Sequence, residues 1–194
     1  MNFDDRIRIV DASKRSAVVW ADRRSIKRSE FYKAQSNGTY ESSEFFTWLN
    51  NYRVFANPLL IECGKKQHKI EREYVTGDFV TIVCSDLDCE CVVYHRTSRG
   101  NDALTEDEYT PDNYITYCAY IDTTGAPSTT ETNKGGHVSD KTNAAVTMLY
   151  RDDVEAHDRL LIGGRTFEIT YADNVGMRGH WLKLYVREVE NDAE

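Results

Sequence analysis

Leu59-Leu60-Ile61-Glu62-Cys63-Gly64-Lys65-Lys66-Gln67-His68-Lys69-Ile70, followed by Gly77-Asp78-Phe79-Val80-Thr81-Ile82-Val83-Cys84, reads as strand, tight turn, strand, turn, strand. Gly64 supplies the positive φ that a tight hairpin requires, and the residues around it alternate apolar with polar. Further along, the same plan returns as Leu160-Leu161-Ile162-Gly163-Gly164-Arg165-Thr166-Phe167-Glu168-Ile169, then Gly179-His180-Trp181-Leu182-Lys183-Leu184-Tyr185-Val186. His68 and Ile70 correspond to Phe167 and Ile169 on one face, and both closing strands are rich in aromatic and β-branched residues. Two shorter blocks precede these in the same order. Val18-Val19-Trp20-Ala21 matches Thr116-Tyr117-Cys118-Ala119, and Thr47-Trp48-Leu49 matches Thr147-Met148-Leu149. Internal similarity of this kind fixes architecture before any other feature. It predicts a mainly β chain of two small antiparallel β-barrel or sandwich domains in tandem, residues 1–88 and 89–194. The boundary is expected at residues 86–90, where Ser85-Asp86-Leu87-Asp88 interrupts the strand pattern.

The two halves differ most in one connection. In the first, Ser29 stands as an N-cap before Glu30, Phe31, Tyr32, Lys33, Ala34 and Gln35, with Asn37-Gly38 as a stop, which predicts a short inserted helix. In the second, residues 122–143 are polar and almost without apolar anchors, which predicts a mobile loop. Residues 96–112 are similarly acidic and turn-rich and are expected to join the first two strands of that domain as a loop.

Composition narrows the function classes. With 40% hydrophobic and 29% charged residues, the cores are expected to be thin, as in subunits that gain stability from neighbours. The formal charge of −8 is uneven: residues 1–90 hold fourteen basic and fourteen acidic side chains, residues 91–194 ten and eighteen. That balance argues against a general duplex-binding surface, which needs clustered Lys and Arg. No apolar run approaches a membrane span, and the first ten residues lack the layout of a secretory signal, so a cytosolic protein without membrane contact is expected. The five cysteines, an odd number, are expected to be reduced.

Candidate chemistry is sparse. Cys84, Cys89 and Cys91 lack the paired knuckle spacing of a structural zinc site and read as small buried side chains. Gly163-Gly164-Arg165 and Gly135-Gly136-His137 do not open a helix with a phosphate-loop pattern. No nucleophile elbow or metalloprotease helix is present, and the five histidines are scattered, so no catalytic, cofactor-binding or metal residues are assigned and no enzyme is expected. The basic run from Arg23 to Lys33 with Phe31 and Tyr32 offers three readings: a solvated helix face, a phosphate contact or a subunit interface.

At that run the chain resembles a known family. Val19-Trp20-Ala21, then Ser29-Glu30-Phe31-Tyr32-Lys33-Ala34-Gln35 and Gly38, a strand ending at Tyr52-Arg53, Cys63-Gly64-Lys65 with Ile70, and Gly77-Asp78 before a last strand are similar to the head-closure (stopper) proteins of tailed bacteriophages. Asp5-Arg6-Ile7-Arg8-Ile9 fits the family's first strand. The second half shares the later part of the pattern, over residues 146–187, without the Ser-Glu-Phe helix. The resemblance implies a homo-oligomeric ring of roughly six or twelve copies below the portal and adaptor, closing the DNA-filled head and presenting a face to the tail terminator or tail tube. It implies packaged double-stranded DNA in the channel, a place in the virion at the head-tail interface and assembly in the host cytoplasm. It places the subunit interface at Arg23, Arg24, Arg28, Glu30, Phe31 and Tyr32. The channel loop falls in residues 122–143, at Thr124, Gly125, Thr129, Lys134, Gly135 and Gly136, with residues 39–45 the poorer candidate. The alternatives are another neck component, such as an adaptor or tail terminator, or a double-barrel module that binds oligonucleotides by aromatic stacking.

Overall fold

The computed structural model describes residues 3–26, 41–98, 107–122 and 144–189. The chain divides into two compact units, Met1–Asp88 and Cys89–Glu194. Among the described residues, no helix is long and apolar enough to cross a membrane.

The first unit is a closed antiparallel barrel of β1 (Asp5–Asp11), β2 (Ser16–Ser25), β3 (Glu41–Trp48), β4 (Pro58–Cys63), β5 (Lys66–Thr76) and β6 (Phe79–Leu87), in the order β1-β2-β3-β6-β5-β4. Pairing of β4 back onto β1, Ile61 opposite Ile9, closes the ring. The period-2 alternation sorts the side chains: Ile7 and Ile9 point inward while Arg6 and Arg8 stay exposed. Ile7, Ile9, Val19, Ala21, Phe45, Ile61, Val80, Ile82 and Cys84 fill the interior. A single helical turn, α1 (Leu49–Tyr52), adds Leu49 and Tyr52 to that core. Its start is tied to the β5–β6 turn by the Leu49 N–H donating to the Asp78 carbonyl at 2.8 Å.

The second unit holds β7 (Cys89–Ser98), β8 (Glu108–Pro111), β9 (Thr116–Asp122), β10 (Ala144–Leu149), β11 (Arg159–Ile162), β12 (Arg165–Asn174) and β13 (Trp181–Val189). Pairing of β11 with β7 closes six of these into a second barrel, with β8 appended to the outer end of β7. Its core is Val93, Cys91, Cys118, Val146, Met148, Leu160, Phe167, Ile169, Leu182, Leu184 and Val186, with others of the same kind. Without β8, the order β7-β9-β10-β13-β12-β11 repeats that of the first barrel. The likeness extends to a local irregularity: the register shifts between Ile70 and Arg72 in the first barrel and between Ile169 and Tyr171 in the second. A β-bulge re-aims a strand and raises its local twist, so the same bulge on matching strands bends both barrels at the same place.

The glycine turns sit where the repeat put them. Gly64 and Gly163 have φ of +62° and +57°, and a Cβ built at either would meet nothing within 4 Å. The backbone is therefore the only source of strain. Gly64→Ala and Gly163→Ala should each cost about 1 kcal/mol, read as a lower urea midpoint with an unchanged slope.

Several expectations are corrected. Ser85, Asp86 and Leu87 do not interrupt a strand: β6 runs through Leu87, because the Asp86 carboxylate is met by His68 and Ser42. Residues 96–112 are not simply a loop, since β7 continues to Ser98 and β8 pairs back onto it. Within residues 39–45, Glu41 onward is strand β3 with Phe45 fully buried, not loop, and residues 39 and 40 lie outside the described residues. The helix expected over residues 29–35 lies outside the described residues; α1 falls in a different connection, between β3 and β4.

Candidate functional site

The second barrel carries a cleft of about 290 Å³ lined by His95, Arg96, Asp153, Glu155 and Asp158. β7 supplies His95 and Arg96, and the connection from β10 to β11 supplies the acids. His95 Nδ1 lies 3.2 Å from Asp158 Oδ2, and its Nε2 lies 3.3 Å from Asp112 Oδ1. Arg151 donates to Asp153 at 2.7 Å and to Asp112. The Asp158 carboxylate is buried and accepts the Arg96 N–H at 2.9 Å and the Glu155 N–H at 3.0 Å. Hydrogen bonds from Arg151 outweigh burial and hold the Asp153 carboxyl below its ordinary value. Asp112, Asp153 and Asp158 are each engaged by a cation or a backbone donor, so the arrangement is a clamp: it ties the β7–β8 ribbon to the β10–β11 connection. Among the described residues, the cleft is lined by no Ser, Thr or Cys. Sequence reasoning passed over His95 because its partners come from two distant segments, Asp112 after β8 and Arg151, Asp153 and Asp158 between β10 and β11.

In the first barrel, the position that Phe167 fills in the second is taken by His68, which is fully buried with its ring edge-on to Phe45 at 5.1 Å. Its Nδ1 lies 2.6 Å from Asp86 Oδ1, which also accepts the Ser42 hydroxyl at 2.6 Å. Burial pushes the Asp86 carboxyl up, but the bonds from His68 and Ser42 outweigh it and hold it at about 2. The folded state thus binds that proton more weakly than the unfolded chain. The resulting stability, about 2 kcal/mol, is fully present above the unfolded value of 3.8 and is lost as pH falls through 2. His68→Phe, which copies the second barrel, should flatten this acid-side slope. Urea midpoints between pH 5 and 2 check it, and an unchanged slope would refute the pairing.

Of the interface residues named from the sequence, the structure describes two. Arg23 is turned inward along its own barrel, its guanidinium 3.2 Å from Ser43 Oγ and 5.8 Å from the Phe45 ring. Arg24 is exposed on the outer wall, over Phe46 at 5.0 Å and paired with Asp22. Arg28, Glu30, Phe31 and Tyr32 lie outside the described residues, as do Thr124, Gly125, Thr129, Lys134, Gly135 and Gly136. The ends of the latter segment are described: Asp122 and Ala144 face each other in register on β9 and β10, so the chain leaves and re-enters the barrel at one point. The cysteines behave as small apolar residues, with Cys84 in the first core and Cys91 and Cys118 in the second. Among the described residues, no cluster of His, Cys, Asp and Glu could hold a metal ion.

Among curated proteins, none matches the chain. Comparison with protein families matches residues 82–189 to phage head completion protein, a span that takes in the end of β6 and all of the second barrel. The family likeness thus lies in the second half, whereas the motifs that carry the resemblance in the sequence lie mostly in the first, whose glycine turn and Ser-Glu-Phe run are locally distinctive. The matched span exceeds half of the 194 residues, and the chain therefore belongs to the phage head completion protein family, structural components of the virion.

Proposed function

We propose that this protein forms a homo-oligomeric ring at the head-tail interface, below the portal or adaptor, where it closes the DNA-filled head and offers the tail its attachment face. Family membership over the second barrel is the observation that carries this reading. The fold supports it: each unit is a closed barrel, which leaves no strand of the ring itself unpaired at a sheet edge and makes a rigid block for stacking around an axis. The first barrel, with the same strand order, acts as a second block of related design, so each copy contributes two to the ring.

Residues 122–143 hold the channel loop in this reading, at Thr124, Gly125, Thr129, Lys134, Gly135 and Gly136. Because Asp122 and Ala144 are register partners, removing residues 124–141 leaves a three-residue hairpin connection, a length that antiparallel strands accept. Virions carrying that deletion should assemble and package DNA but lose it on standing, as measured by nuclease-sensitive DNA released from filled heads. Heads that hold their DNA would end the loop assignment. Imaging of the virion neck tests the ring itself, and density for this protein anywhere other than between portal and tail would overturn the reading.

A further inference from the structure

Two apolar features stand out to solvent on the outer surfaces of the barrels. The first is a face of β2, β3 and β6. Trp48 is the register partner of Phe79, with ring centroids 4.4 Å apart, and Phe46 stacks on Phe79 at 4.8 Å. Phe3 lies 5.8 Å from Trp48. Ala21 pairs with Thr47, and both are buried, so the neighbouring Trp20 falls opposite Trp48 on the outward side. Trp20 is 56% exposed and Trp48 44%. Arg6, the register partner of Trp20, and Arg24, over Phe46 and paired with Asp22, border this face.

The second feature is the tip between β12 and β13. Val175-Gly176-Met177 forms a single 3-10 turn, and Met177 is 93% exposed with φ +55°. A bulky residue held in the left-handed region and wholly in water returns nothing to its own barrel, and such strain is retained where it serves a contact. The tip is braced. The Gly179 N–H donates to Asn174 Oδ1 at 2.9 Å, and the Tyr150 N–H to the His180 carbonyl at 3.0 Å. Tyr171, 60% exposed, extends the apolar surface down β12.

The charge of the two halves says how these features meet. Residues 1–88 hold fourteen basic and thirteen acidic side chains; residues 89–194 hold ten and nineteen. Two acidic second barrels repel one another, whereas a second barrel approaching the nearly neutral first barrel does not. One chain thus carries an apolar tip on an acidic barrel and an apolar seat on a nearly neutral one. Surfaces of that kind join head to tail, and such contacts close into a ring when the rotation per copy permits.

We propose that the Val175–Met177 tip of one copy seats on the Trp20–Trp48–Phe79 face of the next. This rests on the ring reading above and names the two surfaces that build it. The occupant of the aromatic face is a second copy of this chain, not an unrelated protein or a nucleic acid strand.

Sedimentation velocity on the full chain, over a range of concentrations and at low and high salt, tests it with Trp20→Glu and Met177→Glu. Both positions are exposed, so neither change touches a core. Wild type should self-associate, and each variant alone should associate at least ~30-fold more weakly, as loss of an interface hot spot does. An equimolar mixture of the two variants should form a one-to-one dimer and nothing larger, because one intact tip and one intact seat remain between them. That dimer also shows that both variants are folded. A monomeric wild type, variants that assemble as wild type does, or a mixture that stays monomeric would each overturn the contact. Association of wild type and both variants alike would leave the ring reading standing and remove only this interface, whereas the imaging of the neck judges the ring itself.

Discussion

Phe167→Ala should unfold the second barrel at far lower denaturant while leaving the first barrel almost untouched. Phe167 is among the largest fully buried side chains, 1% exposed, and packs with Tyr120 at a centroid distance of 5.5 Å. Truncating a buried Phe removes its transfer free energy and leaves a cavity that a closed barrel collapses around poorly, a loss of about 3–5 kcal/mol. The first core shares none of its residues with the second, so the cost stays local. Hydrogen exchange provides the measurement. Amides of β9, β10, β12 and β13 should lose protection by about that amount, and those of β1 to β6 should lose under 0.5 kcal/mol. An equal loss in both barrels would show one cooperative unit and refute the separation of cores.

The hairpins were legible in the sequence because their signals are local. A glycine with positive φ between alternating residues announces a turn wherever it falls, and Gly64 and Gly163 both did. The matching of Thr47-Trp48-Leu49 with Thr147-Met148-Leu149 fell on β3 and β10, the third strands of their barrels, but one residue out of register: Ala21 opposite Thr47 corresponds to Cys118 opposite Met148, all four buried. What stayed hidden depends on distant partners. Asp86 looks like a strand breaker until His68, eighteen residues earlier, is seen to accept it into β6. His95 looks ordinary until Asp158, sixty-three residues away, is brought to its ring. Trp20 illustrates a third limit. Alternation says that Trp20 and Ala21 face opposite sides, but hydrophobicity would put the Trp inside; the narrow interior of a six-stranded barrel takes Ala21 and turns Trp20 outward. The exposed aromatic face was therefore invisible until the barrel closed, and so was the clamp around His95, whose residues no spacing rule connects.

That clamp should be the second most sensitive point of the molecule. The Arg151 side chain is only 11% exposed, as is that of Asp112, and Arg151 is also bonded to Asp153 and lies over the Tyr114 ring at 5.1 Å. Arg151→Met keeps most of the volume and removes the charge. Asp112 and Asp153 then face each other near Asp158 with His95 as the one ring between them, and the largely buried Asp112 carboxylate has lost its cation. Breaking such a pair from one side costs about 3 kcal/mol, more than deleting both members. Adding Asp112→Asn to Arg151→Met should therefore recover over half of the loss, since the stranded charge disappears. The damage should also have a location. Asp112 is anchored by its N–H to the Val93 carbonyl at 2.8 Å, so β8 and residues 112–115 should lose protection from exchange first in the single variant. A double variant less stable than the single one would mean that Asp112 contributes by packing or backbone geometry and not as the partner of Arg151.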